Sequence, residues 1–97
     1  MSHAQHLTPQ VARLIPLGQL VATPHALALL EKANLSTFAL FARHEQGDWG
    51  DVDAMANEQA LIDGGRLMSV YKLELGTVWV ITEADRSATT LLLPEEY

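Results

Sequence analysis

The chain has 97 residues, 48% of them hydrophobic and 19% charged, a composition that suits one globular core and excludes a disordered chain or a second independent core. It contains no cysteine, which removes disulfides and cysteine-based metal sites, and its net charge of −6 disfavours a nucleic-acid partner. Apolar runs such as 26–30 and 91–93 are too short to cross a bilayer, and residues 1–10 lack the pattern of a secretory signal. The expectation is a cytoplasmic protein with no membrane association.

Residues 1–12 read as a flexible tail and 13–97 as a single α+β domain. The tail holds His3 and His6, whose spacing could suit a metal but which have no acidic or cysteine companion, so no metal site is expected. Pro16 and Gly18 break any helix early, leaving 19–22 as a strand. Thr23-Pro24 then starts a first helix that reaches Ala33, with Ala26, Leu27, Leu29 and Leu30 as its apolar stripe. Ser36 caps a second helix, in which Phe38, Phe41 and Ala42 recur at helical spacing and Gly47 marks the stop.

Two glycines around Trp49 make 47–51 a tight loop. A third helix is expected over 52–62, capped by Asp51 or Asp53, with Val52, Met55, Ala56, Ala60 and Leu61 forming a weak stripe before Gly64-Gly65. From Arg66 onward, alternation and β-branched residues replace helical spacing. Strands are expected over 67–73, 77–83 and 88–93, joined by Leu75-Gly76 and by the polar turn 84–87, and halted at Pro94. Val78 and Val80 on one face and Trp79 and Ile81 on the other make 77–83 a central strand. The predicted architecture is N-terminal helices packed on a C-terminal antiparallel sheet of three to four strands.

Few residues point to chemistry. His44, between Arg43 and Glu45 near a helix end, is the candidate for proton transfer, although a cationic side chain there also simply complements the helix dipole. Arg86 with Asp85, Ser87, Thr89 and Thr90 offers a guanidinium and hydroxyls that suit a phosphate or carboxylate, a set that ordinary turn and strand preferences also produce. A fold could gather Arg43, Arg66 and Arg86 into one cationic patch. Trp49 is either a binding platform or an anchor plugging its loop into the core. Asp48 and Asp51 lack the spacing of a calcium loop, and no glycine-rich phosphate loop, nucleophile elbow or zinc motif occurs. No cofactor is expected.

The strings LGQLVATP, RHEQGDWGD and WVITEADRSATTLLLPEEY, which together carry a likeness over about 14–97, resemble a family of short uncharacterised bacterial proteins found on plasmids and integrated mobile elements. Some of its members carry labels linking them to restriction systems. The family supplies a context and no established activity. The order of helices before sheet also resembles, more weakly, the barnase and RelE type of small ribonuclease. That likeness implies His44 as acid or base, Arg86 and Arg43 as the phosphate clamp, and Tyr71, Ser87 and Thr89 as supporting donors. The chain departs from the pattern in its acidity and in lacking a histidine in the sheet.

Three functions therefore compete. The first is a binding or accessory module acting through a protein partner or by self-association, which requires an exposed apolar patch. The second is a ribonuclease, which requires His44, Tyr71 and Arg86 to converge on one cleft. The third is an acidic inhibitor of restriction or CRISPR machinery, for which twelve acids against six bases, without runs, is a modest charge.

Overall fold

A computed structural model describes residues 14–97. The elements are strand β1 (Gln19–Ala22), helices α1 (Pro24–Ala33), α2 (Thr37–Glu45) and α3 (Ala54–Asp63), strands β2 (Leu67–Leu73), β3 (Gly76–Thr82) and β4 (Ala88–Leu92), and a short 3-10 turn over Pro94–Glu96. The fold is α+β, with a four-stranded sheet in the order β1-β4-β3-β2. β2, β3 and β4 form an antiparallel meander, while β1 lies parallel to β4. That parallel pair is what a purely antiparallel expectation omits: the helical excursion between β1 and β2 returns the chain to the far side of the meander.

Local signals set the helix boundaries. Thr23 accepts a hydrogen bond from the Ala26 amide, Pro24 occupies the first turn, and Asn34 closes α1 in the left-handed conformation at φ 59°. Ser36 caps α2, and Asp53 rather than Asp51 caps α3. The helix stripes differ from expectation. In α1, Ala26 and Leu30 are buried whereas Leu27 is exposed; in α2 the buried residues are Leu40, Phe41 and His44, and Phe38 is 70% exposed. In α3, Met55 and Ala56 face outward and only Asn57 is buried. A stripe only one or two residues wide leaves the rotation of a short helix undetermined until the sheet supplies a surface.

The core lies between the sheet and the first helices. Register places Tyr71 opposite Val78, Ser69 opposite Val80 and Val80 opposite Leu91, so these side chains share one face. They pack with Ala26, Leu30, Leu40 and Phe41. β3 is central, as its doubly apolar pattern predicts, and Val78 and Val80 are fully buried. Burial of each contributes roughly 1.5–3 kcal/mol. A second cluster, Ile15, Trp49 and Leu67, joins the 47–51 loop to the sheet.

Candidate functional site

His44 projects from α2 into the sheet and is wholly inaccessible to solvent. Its Nδ1 lies 2.6 Å from Ser69 Oγ, and its Nε2 lies 2.8 Å from Thr82 Oγ1. Thr82 Oγ1 lies 2.7 Å from Thr89 Oγ1, which donates over 2.7 Å to the Leu17 carbonyl. This last contact orients the whole chain, because a carbonyl can only accept. Thr89 has one proton, spent on Leu17, so it accepts from Thr82. Thr82 must then accept from His44 Nε2–H, and Nδ1 accepts from Ser69. His44 is thus a neutral Nε2–H tautomer with both nitrogens occupied, and burial lowers its pKa from 6.5 to about 4.

Arg86 is equally committed. It sits in the left-handed region at φ 61°, and its guanidinium donates to the carbonyls of Gly65 at 2.6 Å, Glu83 at 3.1 Å, Ala84 at 3.3 Å and Ala60 at 3.5 Å. It staples the end of α3 to the β3–β4 turn. Asp85 accepts from the Ser87 amide at 2.9 Å, closing that turn. Thr89 is buried within the hydroxyl chain.

Arg43, Asp48 and Tyr71 do come together. The Arg43 Nε bonds Asp48 Oδ2 at 2.6 Å, and its guanidinium lies 4.3 Å from the centre of the Tyr71 ring. The Tyr71 hydroxyl donates to the Asp48 carbonyl at 2.7 Å. Burial pushes the Tyr71 phenol up to about 12, and the Arg43 hydrogen bond holds the Asp48 carboxyl below its ordinary value. With Asp51 and Lys72, themselves paired at 2.7 Å, these residues line a shallow cleft of about 360 Å³. Each cation in it already faces a carboxylate.

The residues named from sequence therefore do not form one cleft. His44 is sealed among hydroxyls, Arg86 among carbonyls, and Tyr71 beside Arg43 and Asp48. The three arginines are each spent on other partners: Arg66 bonds the Tyr97 hydroxyl at 2.7 Å and lies 3.6 Å from the Glu83 carboxylate, near Arg86 on the Glu83 carbonyl, while Arg43 is held by Asp48. Trp49 is the anchor of its loop, 5% exposed and edge-on to His44 with ring centres 5.4 Å apart. No cluster of His, Asp or Glu among the described residues could hold a metal ion, and no helix among them is long and apolar enough to cross a membrane. His3 and His6 lie outside the described residues.

The surface feature that residue chemistry did not single out is the β1 edge. Gln19 and Thr23 direct their amides to the Ser87 and Leu91 carbonyls, both at 3.0 Å. Alternation then turns the N–H and C=O of Leu20 and Ala22 outward, away from β4. Leu20 and Val21 are each 41% exposed. Beside them lies a groove of about 440 Å³, lined by Leu17, Leu20, Phe38, Phe41, Ala42 and Glu45 among others. An apolar, uncharged strand was visible in the sequence, but its position at an edge follows only from the parallel pairing with β4.

Comparison with known proteins returned no match: no family profile, no curated protein and no solved structure is significantly similar to this chain.

Proposed function

We propose that the chain is a binding or accessory module that acts through a protein partner, docking it along β1 and the Phe38 groove. The supporting observation is the continuity of exposed apolar side chains with a strand edge that no described residue pairs. An open edge offers main-chain hydrogen bonds, and the adjoining groove offers side-chain selectivity, the combination used when a partner adds a strand to a sheet. The resemblance of its sequence strings to short proteins of plasmids and integrated elements supports a role in the upkeep or defence of a mobile element.

The ribonuclease reading has no observation in its favour, since a histidine with zero exposure and two occupied nitrogens cannot meet a phosphate. Capture of partners from the native host tests the module reading, comparing the wild-type chain with Leu20→Pro. The Leu20 amide points away from β4, so proline there removes a docking donor without breaking the ladder. Loss of the captured protein in the variant is expected; an unchanged set of captured proteins overturns the reading.

A further inference from the structure

We propose that the occupant of the β1 edge is a second copy of this chain, paired antiparallel about a two-fold axis through Val21 to give one continuous eight-stranded sheet. The inference rests on the module reading and names its partner.

The hydrogen-bonding groups on the edge are self-complementary in one register. The strand presents its outward groups at Leu20 and Ala22 only, since Gly18 turns away at φ 66° and Pro24 begins α1. Pairing Leu20 of one copy with Ala22 of the other uses the N–H and C=O of both residues on both chains. Registers centred on Leu20 or on Ala22 leave outward groups unpaired. In the favoured register Val21 faces its symmetry mate in a non-hydrogen-bonded pair, and the helices of both copies lie on one side of the sheet. Leu20 shares its face with the Phe38 groove, so the two grooves flank the seam on that side.

Charge points to the same place. Two chains of net charge −6 repel over most approaches, and β1 carries none of the twelve acids. Acids flank the strand at both ends, Asp85 in the turn beside its start and Glu96 bonded to Thr23 at its close, so the uncharged middle around Val21 is where two copies approach with least repulsion. The outer edge of β2, by contrast, is already covered by Asn57 and by the Trp49–Asp51 backbone. Size sets the strength: four strand residues with Phe38 expose well under the roughly 800 Å² per partner of a standard stable interface. The pair is a reversible one, favoured by concentration and by salt that screens the mutual repulsion.

The absence of cysteine makes the test clean, because one introduced thiol is the only one present. A non-hydrogen-bonded pair sets Cα atoms about 4.5 Å apart, within disulfide reach, whereas Leu20 and its mate are offset by two residues and lie about 7 Å apart or more. Val21→Cys is therefore expected to give a covalent dimer on mild oxidation at least tenfold faster than Leu20→Cys or Met55→Cys, the last an exposed helix position. Circular dichroism confirms that each variant is folded, and light scattering of the wild-type chain is expected to show its mass rising from 10.6 kDa toward twice that value with concentration and with salt. Equal cross-linking of Val21→Cys and Met55→Cys, or preferential cross-linking of Leu20→Cys, overturns the proposal. So does a wild-type chain that stays monomeric at millimolar concentration; if Leu20→Pro still sheds a host protein in that case, the module reading survives and only the second copy is excluded.

Discussion

The two edges of the sheet are treated in opposite ways. At β2 the outward groups of Met68 are satisfied by the side-chain amide of Asn57, which donates to the Met68 carbonyl at 2.8 Å and accepts from its amide at 2.9 Å. Two residues on, Val70 bonds the Trp49 carbonyl at 3.0 Å and receives the Asp51 amide at 2.7 Å, forming a short parallel bridge at Gly50. Lys72 then places a charge on the same strand, paired with Asp51. At β1 no segment among the described residues covers the edge, and the strand itself contains no charge and no proline. A protein under general pressure to suppress edge pairing would protect both sides, so a single bare edge reads as a surface kept available.

The largest expected effect lies on the covered side. Gly50 holds φ 74°, and a Cβ there would run into the Val70 carbonyl oxygen and the Tyr71 ring. Gly50→Val combines a left-handed β-branched residue with a backbone clash, and is expected to cost roughly 3 kcal/mol or more by urea denaturation. It lifts the loop from β2 and exposes that edge, so aggregation should accompany the loss. Asn57→Leu is milder. It strips the partners of Met68 and should cost roughly 2 kcal/mol, with a midpoint shift at unchanged slope. Stability loss without new association at β2 would weaken the idea that these contacts guard the edge.

Acid provides a comparable lever near the other side, through the hydroxyl chain that ends at Leu17 beside β1. His44 has a depressed pKa in the fold, so the unfolded chain binds more protons between pH 6.5 and about 4, and stability rises with pH across that window. Its contribution is complete above pH 6.5 and is lost on descent toward pH 4, a change of roughly 3 kcal/mol. Ser69, Thr82 and Trp49 face the ring and carry no charge, while Arg43 and Glu45 adjoin it in α2. Asp48, whose pKa is lowered by Arg43, and Glu96, whose pKa is lowered by Thr23, add acid sensitivity only at lower pH. Imidazole nitrogen shifts should report the Nε2–H tautomer at neutral pH; a ring that titrates near 6.5 in the folded protein contradicts the buried chain.

Element type was legible in the sequence where a local signal acts alone. Thr23-Pro24, Asn34, Asp53 and Gly64 set helix ends by capping, and Val78 to Ile81 announced a central strand by being apolar on both faces. What was not legible depends on contacts distant in sequence. His44 looks like a titrating group until Ser69 and Thr82, 25 and 38 residues away, take up its nitrogens. Arg86 looks like an anion ligand until the end of α3 presents the carbonyls of Ala60 and Gly65. Phe38 falls on the apolar spacing of α2, yet the helix turns Leu40, Phe41 and His44 to the sheet and leaves it outside.

That misplaced phenylalanine gives the smallest effect on stability and the most telling one for the comparison of edges. At 70% exposure its ring contributes little to the core, so Phe38→Ser should change unfolding free energy by no more than about 0.5 kcal/mol. Leu20→Lys should be similarly neutral, because the side chain can extend from the edge into water. Both should nevertheless weaken association, the first by removing apolar area from the groove and the second by setting like charges against each other across a two-fold seam. Sedimentation of the variants beside Met55→Ser, which removes a side chain of comparable exposure on α3, separates the cases. If all three variants weaken association equally, general surface hydrophobicity is the cause; weakening confined to Phe38 and Leu20 ties it to the open edge, where main-chain groups as well as side chains await a partner.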